Sequence, residues 1–105
     1  MKAKQAAQKV IERCGTNDVF EIALKSNISI VYEDWYPTTI GEFDKQTNTI
    51  CVNNRALKES KNAIELEKII IAHELGHFFV AEFDLGNLSE EQFAREFAKE
   101  LTKKI

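Results

Sequence analysis

Glycine and proline are scarce in this 105-residue chain, with four of the first and one of the second. That scarcity excludes a flexible linker or low-complexity tail and points to one closely packed unit. Positive charge is not in excess either. A net charge of −3 offers no electrostatic footprint for nucleic acid, so no direct nucleic-acid partner is expected. Cysteine occurs twice, at Cys14 and Cys51, without a CxxC pair. Two buried thiols in a reducing cytosol are expected rather than one disulfide. No continuous apolar stretch opens the chain, MKAKQAAQKVIE, so no secretory signal is expected there. The longest apolar run, IIIAHELGHFFVA, is broken by His73, Glu74 and His77, which argues against a membrane span. The expected address is cytoplasmic. Histidine is as rare as cysteine, and both copies, His73 and His77, stand within five residues of each other.

What is present is a globular composition, 44% hydrophobic and 30% charged, at a length suited to a single domain spanning 1–105. Ala3, Ala6, Ala7, Val10, Ile11 and Cys14 recur at helical spacing, and Gly15 supplies a stop, which predicts a helix over 2–14. A second short helix follows from about Asp18 to Ser26, capped by Thr16, Asn17 or Asp18, with Val19, Phe20, Ala23 and Leu24 as its buried side. Ile28, Ile30 and Tyr32 alternate with Ser29, Val31 and Glu33, a strand pattern, and Pro37 interrupts pairing after it. Ile40 to Phe43 and Thr49 to Asn53 flank the polar DKQTN and read as a hairpin, with Ile50 and Val52 on one face and Cys51 on the other. A long helix is expected from about Asn62 to Phe83. It is apolar nearly all round near Ile69–Ala72 and Phe78–Ala81, hence central and covered on several sides. Ser89 and Gln92 form a capping box that starts a last helix buried through Phe93, Ala94, Phe97, Ala98 and Leu101. The expected class is α+β: a small, mostly antiparallel three-stranded sheet packed with four helices, the HELGH helix central.

Residues four apart on a helix lie about 40° apart around it and one turn along. Two imidazoles at that spacing can converge on one ion at roughly 2.0–2.1 Å. Glu74 points to a neighbouring strip, where a carboxylate can hold a metal-activated water and take its proton. The plain alternative is a pair of histidines hydrogen-bonded in a core. Placing two imidazoles and a carboxylate among Ile69, Ile70, Phe78 and Phe79 is costly without partners, and an ion supplies them.

A catalytic zinc takes a third protein ligand as a rule, and no third histidine exists. A carboxylate is therefore expected, with Cys51 a weaker candidate. The last helix must pack its apolar face against the HELGH helix. Glu90 falls at the centre of that face, Glu91 and Glu100 at its edges, and Glu96 well away, so periodicity does not choose among the first three. Asp84 lies on the same face as His77 but two turns on, and reaches the ion only if the helix ends early and the chain folds back. Tyr32 and Tyr36 are candidates for oxyanion or substrate contacts, and Trp35 for a lid or recognition residue, each set against simple packing.

These residues together resemble the ImmA/IrrE-type metallopeptidases. The likeness runs through TNDVFEIALKSNISIVYE, the WYPTTIGEFD…NTICVNN hairpin and AHELGHFF. It continues into EEQFAREFAKEL, which is similar to the family's E-x-x-A-(N/D)-x-F-A-x-x-L-L helix, with Arg95 at the Asn/Asp position. The resemblance implies one zinc ion held by His73, His77 and Glu91, with Glu74 as general base. It implies a minimal single-domain endopeptidase acting inside bacterial cells, often encoded beside phage or mobile-element regulators. The implied partner is a protein substrate, a helix-turn-helix repressor that it cuts. A second function is open from the residues: a zinc-binding module that regulates a partner by docking without cutting.

Overall fold

The computed structural model describes residues 2–35 and 39–103, so the expectations placed on Tyr36 and Pro37 lie outside the described residues. Helix α1 spans Ala3–Cys14 and buries Ala3, Ala6, Ala7 and Val10, with Gly15 closing it. Helix α2 spans Val19–Lys25, and Asp18 caps it by accepting from the Phe20 and Glu21 backbone amides. Its buried side is Val19, Ile22 and Ala23, whereas Phe20 and Leu24 are exposed. Both stripes have helical spacing. Packing against α1, the strand that follows and the HELGH helix selects the one that carries Ile22.

Strands β1 (Ser29–Glu33), β2 (Gly41–Asp44) and β3 (Thr49–Asn53) form one sheet in the order β1-β3-β2. The hairpin expected between β2 and β3 is present and antiparallel, with Phe43 opposite Ile50. β1 departs from expectation. It skips β2 and pairs with β3 in parallel, Ile30 beside Ile50 and Tyr32 beside Val52, so the sheet is mixed rather than mostly antiparallel. A parallel pair needs a long crossover, and here β2 itself lies within it. Asn53, fully buried, holds that crossover at two points before β2. Its side-chain amide donates to the Trp35 carbonyl at 3.3 Å and the Thr39 carbonyl at 3.0 Å. Its side-chain oxygen accepts from the Arg55 backbone amide, which starts a helix absent from the expected set, α3 (Asn54–Glu59). There are thus five α-helices among the described residues, not four.

Helix α4 covers Ala63–Phe79, with the Asn62 side chain accepting from the Glu65 amide at its start. It ends four residues before the expected Phe83, tightening into a single 3-10 turn at Val80–Glu82. Helix α5 runs over Glu90–Leu101 from the expected Ser89/Gln92 capping box, and all five expected apolar residues are buried. α4 is central: it packs on α5, on α2 and α3, and on the sheet face carrying Ile50, Val52 and Phe43. Phe93 and Phe97 stack, and Phe97 stacks in turn on Phe79, sealing the α4–α5 seam. The fold is α+β, and no helix among the described residues is long and apolar enough to cross a membrane. Both cysteines are free and half-buried, more accessible than expected.

Candidate metal centre

Gly76 sits one residue before His77 in mid-helix, where glycine costs about 1 kcal/mol against alanine. The close approach of α5 explains it. A Cβ there would lie 2.7 Å from the Ala94 Cα and 3.1 Å from the Ala94 carbonyl oxygen. With no side chain in the way, the first turn of α5 comes down beside the two histidines. The capping box fixes where that turn begins, so Glu90 and Glu91 occupy its first two positions. Carboxylates are favoured there by the helix dipole.

The imidazole rings of His73 and His77 lie 5.1 Å apart and are each about three-quarters buried. Glu91 spans them: its Oε1 is 3.2 Å from His73 Nε2 and 3.1 Å from His77 Nε2. One ligand atom from each of the three residues lies within 4.8 Å of the other two, a group that could hold a metal ion. The donor set suits a divalent cation, two imidazoles and a carboxylate. The two distances from Glu91 to the rings suit it too, since the edge of a tetrahedron with arms of 2.0–2.1 Å is about 3.3 Å. Partial burial pushes the Glu91 carboxyl up, but the charge and hydrogen bonds of the two rings hold it below the usual carboxylate range. Arg95 Nη2 stands 3.5 Å from Glu91 Oε2 on the outer side.

Glu74 is only 7% exposed. Burial pushes its carboxyl up to about 7, with the Glu91 and Glu42 charges adding to the rise and His77 opposing it. Gly41 of β2 makes room for it: a Cβ at that position would meet Ile70 Cγ2 at 2.5 Å and Glu74 Oε2 at 3.3 Å. Beside it opens a groove of about 270 Å³ lined by Glu42, Phe43 and Lys45 on one wall and Glu74, His77 and Glu90 on the other. The first wall is an edge strand. The Asn53 amide donates to the Ile40 carbonyl at 3.0 Å. By the alternation of an antiparallel ladder, the backbone groups of Gly41 and Phe43 therefore point to the open side.

The remaining candidates fall elsewhere. Glu90 does reach His77, but at Nδ1, 3.0 Å from its Oε1. Helix α4 ends early, as Asp84 required, yet the Asp84 side chain accepts from the Gly86 amide and is not in the ligand group. Glu100 is engaged by Gln8 and Lys103, and Glu96 is exposed. Cys51 lies on the sheet face turned away from α4, its thiol pushed up by burial and then by nearby carboxylates. Tyr32 does not line the groove. Its hydroxyl donates to Glu67 on α4, and burial followed by that partner lifts it to about 12. Trp35 packs half-buried and donates from its indole to Thr39. The parts played by Asn53 and Gly41 are not legible in the sequence. Each is an ordinary loop-type residue there, and only the crossover and the strand's approach to α4 reveal their parts. Comparison with protein-family models, with curated proteins and with solved structures finds no match to this chain.

Proposed function

We propose that this chain is a zinc-dependent endopeptidase of the ImmA/IrrE type, acting in the bacterial cytoplasm on a helix-turn-helix repressor. The observation that carries the reading is the convergence of His73 Nε2, His77 Nε2 and the Glu91 carboxylate beside a buried Glu74 on the wall of an edge-strand groove. His73, His77 and Glu91 would hold the zinc. When bound, it supplies Lewis acidity toward a carbonyl and acidifies water. The chain's own groups do the rest. Glu74, buried beside the site, takes a proton from the attacking water on its carboxylate and returns it to the amine that leaves as the peptide C–N bond breaks. The outward backbone groups of Gly41 and Phe43 pair with an extended peptide and bring its scissile bond alongside Glu74. Phe43, packed edge-on against Phe78, keeps that wall rigid. A module that only docks a regulator has no use for a carboxylate held in this way, which favours the enzyme.

The test is metal analysis joined to cleavage of a helix-turn-helix repressor encoded beside the chain, followed by intact mass. Near-stoichiometric zinc is expected in the wild type and in Glu74→Gln, with cleavage only in the wild type. Equal cleavage by the two overturns the proposed chemistry. Zinc binding with repressor capture but no cleavage by either hands the function to the docking reading. Glu91→Ala is expected to bind zinc more weakly than both.

A further inference from the structure

His77 has a carboxylate at each ring nitrogen, Glu91 at Nε2 (3.1 Å) and Glu90 at Nδ1 (3.0 Å). A neutral imidazole carries one N–H, so one nitrogen donates and the other offers a lone pair. An ionised carboxylate only accepts. If Nε2 gives its lone pair to a cation, the proton must sit on Nδ1, and Glu90 Oε1 is the acceptor placed for it. The two ring nitrogens point away from one another, so Glu90 cannot share the ion that Nε2 and Glu91 hold. It stands behind the ligand. Across the groove, Lys45 Nζ lies 4.0 Å from the same Glu90 oxygen. A line of groups thus runs from the turn after β2, through the first residue of α5, to the ring of His77.

We infer that Glu90 is a positioning residue for the metal centre: it holds His77 in the Nδ1–H form, fixes the ring's rotation and presents Nε2 to the cation. This inference rests on the metal reading above and adds a residue to it. The arrangement also gives the consecutive glutamates of α5 separate tasks. Glu91 faces the inner nitrogen of both rings, and Glu90 faces the outer nitrogen of one.

Zinc affinity measured by competition with a chromophoric chelator, at one fixed pH near neutrality, tests it without recourse to activity. Glu90→Ala is expected to lower affinity by about 10–100-fold, the usual effect of removing such a partner. Glu90→Gln keeps an amide oxygen that accepts from Nδ1 and is expected to recover most of the loss. Nitrogen NMR of the zinc-loaded wild type is expected to show the His77 proton on Nδ1. The inference is overturned if Glu90→Ala binds zinc as tightly as the wild type while His73→Ala and Glu91→Ala do not. It is equally overturned if Glu90→Gln loses zinc as completely as Glu91→Ala, which makes Glu90 a ligand. Zinc binding that survives His73→Ala removes the metal reading itself, and this inference with it.

Discussion

Helices α4 and α5 face each other across one seam and are built on opposite plans. α5 is cleanly divided: Phe93, Ala94, Phe97, Ala98 and Leu101 are inside, and its charged residues are outside or at the rim. α4 inverts the usual order. Ile64 is 71% exposed and Ile69 43%, while Glu74 is buried. The reason is position. α5 covers one side of the molecule and needs one apolar stripe, whereas α4 passes through the middle and needs apolar residues on several sides. Its first turns run out beyond that cover and leave two isoleucines in water. A helix apolar all round therefore says that it is central without saying which way it faces. In such a helix the rare polar residues are the informative ones, because each must have a reason to be there.

Five substitutions test that contrast. Removing an aromatic from the clean helix should cost most: Phe97→Ala is expected to lose about 3–5 kcal/mol, a large part of the 5–15 kcal/mol or so that holds a domain of this size. The check is urea unfolding, with the midpoint falling and the slope unchanged. A loss below 1 kcal/mol or so would mean the seam collapses around the cavity. Next comes the buried carboxylate of α4, read in chelator-treated protein. Burial raises the folded-state pKa of Glu74 to about 7, above its ordinary value of 4.5. Below that ordinary value both states are protonated and there is no penalty. As pH rises toward 7 the unfolded chain loses its proton first, so stability falls, and above 7 the penalty is complete. Glu74→Gln should therefore be more stable than the wild type by on the order of 2 kcal/mol in mildly alkaline buffer, and equal to it in acid. A difference independent of pH would refute the buried-charge account.

Gly76→Ala should come third. Alanine favours the helix by about 1 kcal/mol, but crowding the α5 backbone costs about 1–3 kcal/mol, so a net loss near 1 kcal/mol is expected in the same unfolding assay. Ala94→Gly should not restore it, because the nearest atom is the Ala94 Cα rather than its methyl. The smallest effect belongs to the exposed end of α4. Ile64→Lys should stay within about 0.5 kcal/mol of the wild type, and a larger loss would show that this isoleucine is covered in solution.

How far the chain could be read in advance follows the same division. The capping box, the buried face of α5 and the β2–β3 hairpin all rest on local patterns, and all are present. The expected α2 face held at Val19 and Ala23 and failed at Phe20 and Leu24, because Val19–Ile22–Ala23 and Phe20–Leu24 are both legitimate helical stripes. The sheet failed where pairing is non-local: nothing in SIVYE says whether it lies beside β2 or beyond it. Asn53, which holds the crossover that decides the matter, looks in sequence like any turn asparagine.

The candidate site divides in the same way. His73, Glu74 and His77 are determined by sequence alone, because a spacing of four on a helix sets two rings side by side wherever that helix lies. Periodicity left the carboxylate that joins them open, since Glu90, Glu91 and Glu100 all fall on or beside the face of α5 that meets α4, and only the resemblance implied Glu91. The tertiary structure alone shows which of the three reaches both rings. The missing side chain at Gly76 sets how close α5 comes, and Ser89 sets where it begins. Together they put Glu91 at the inner nitrogens of both rings and Glu90 behind one of them.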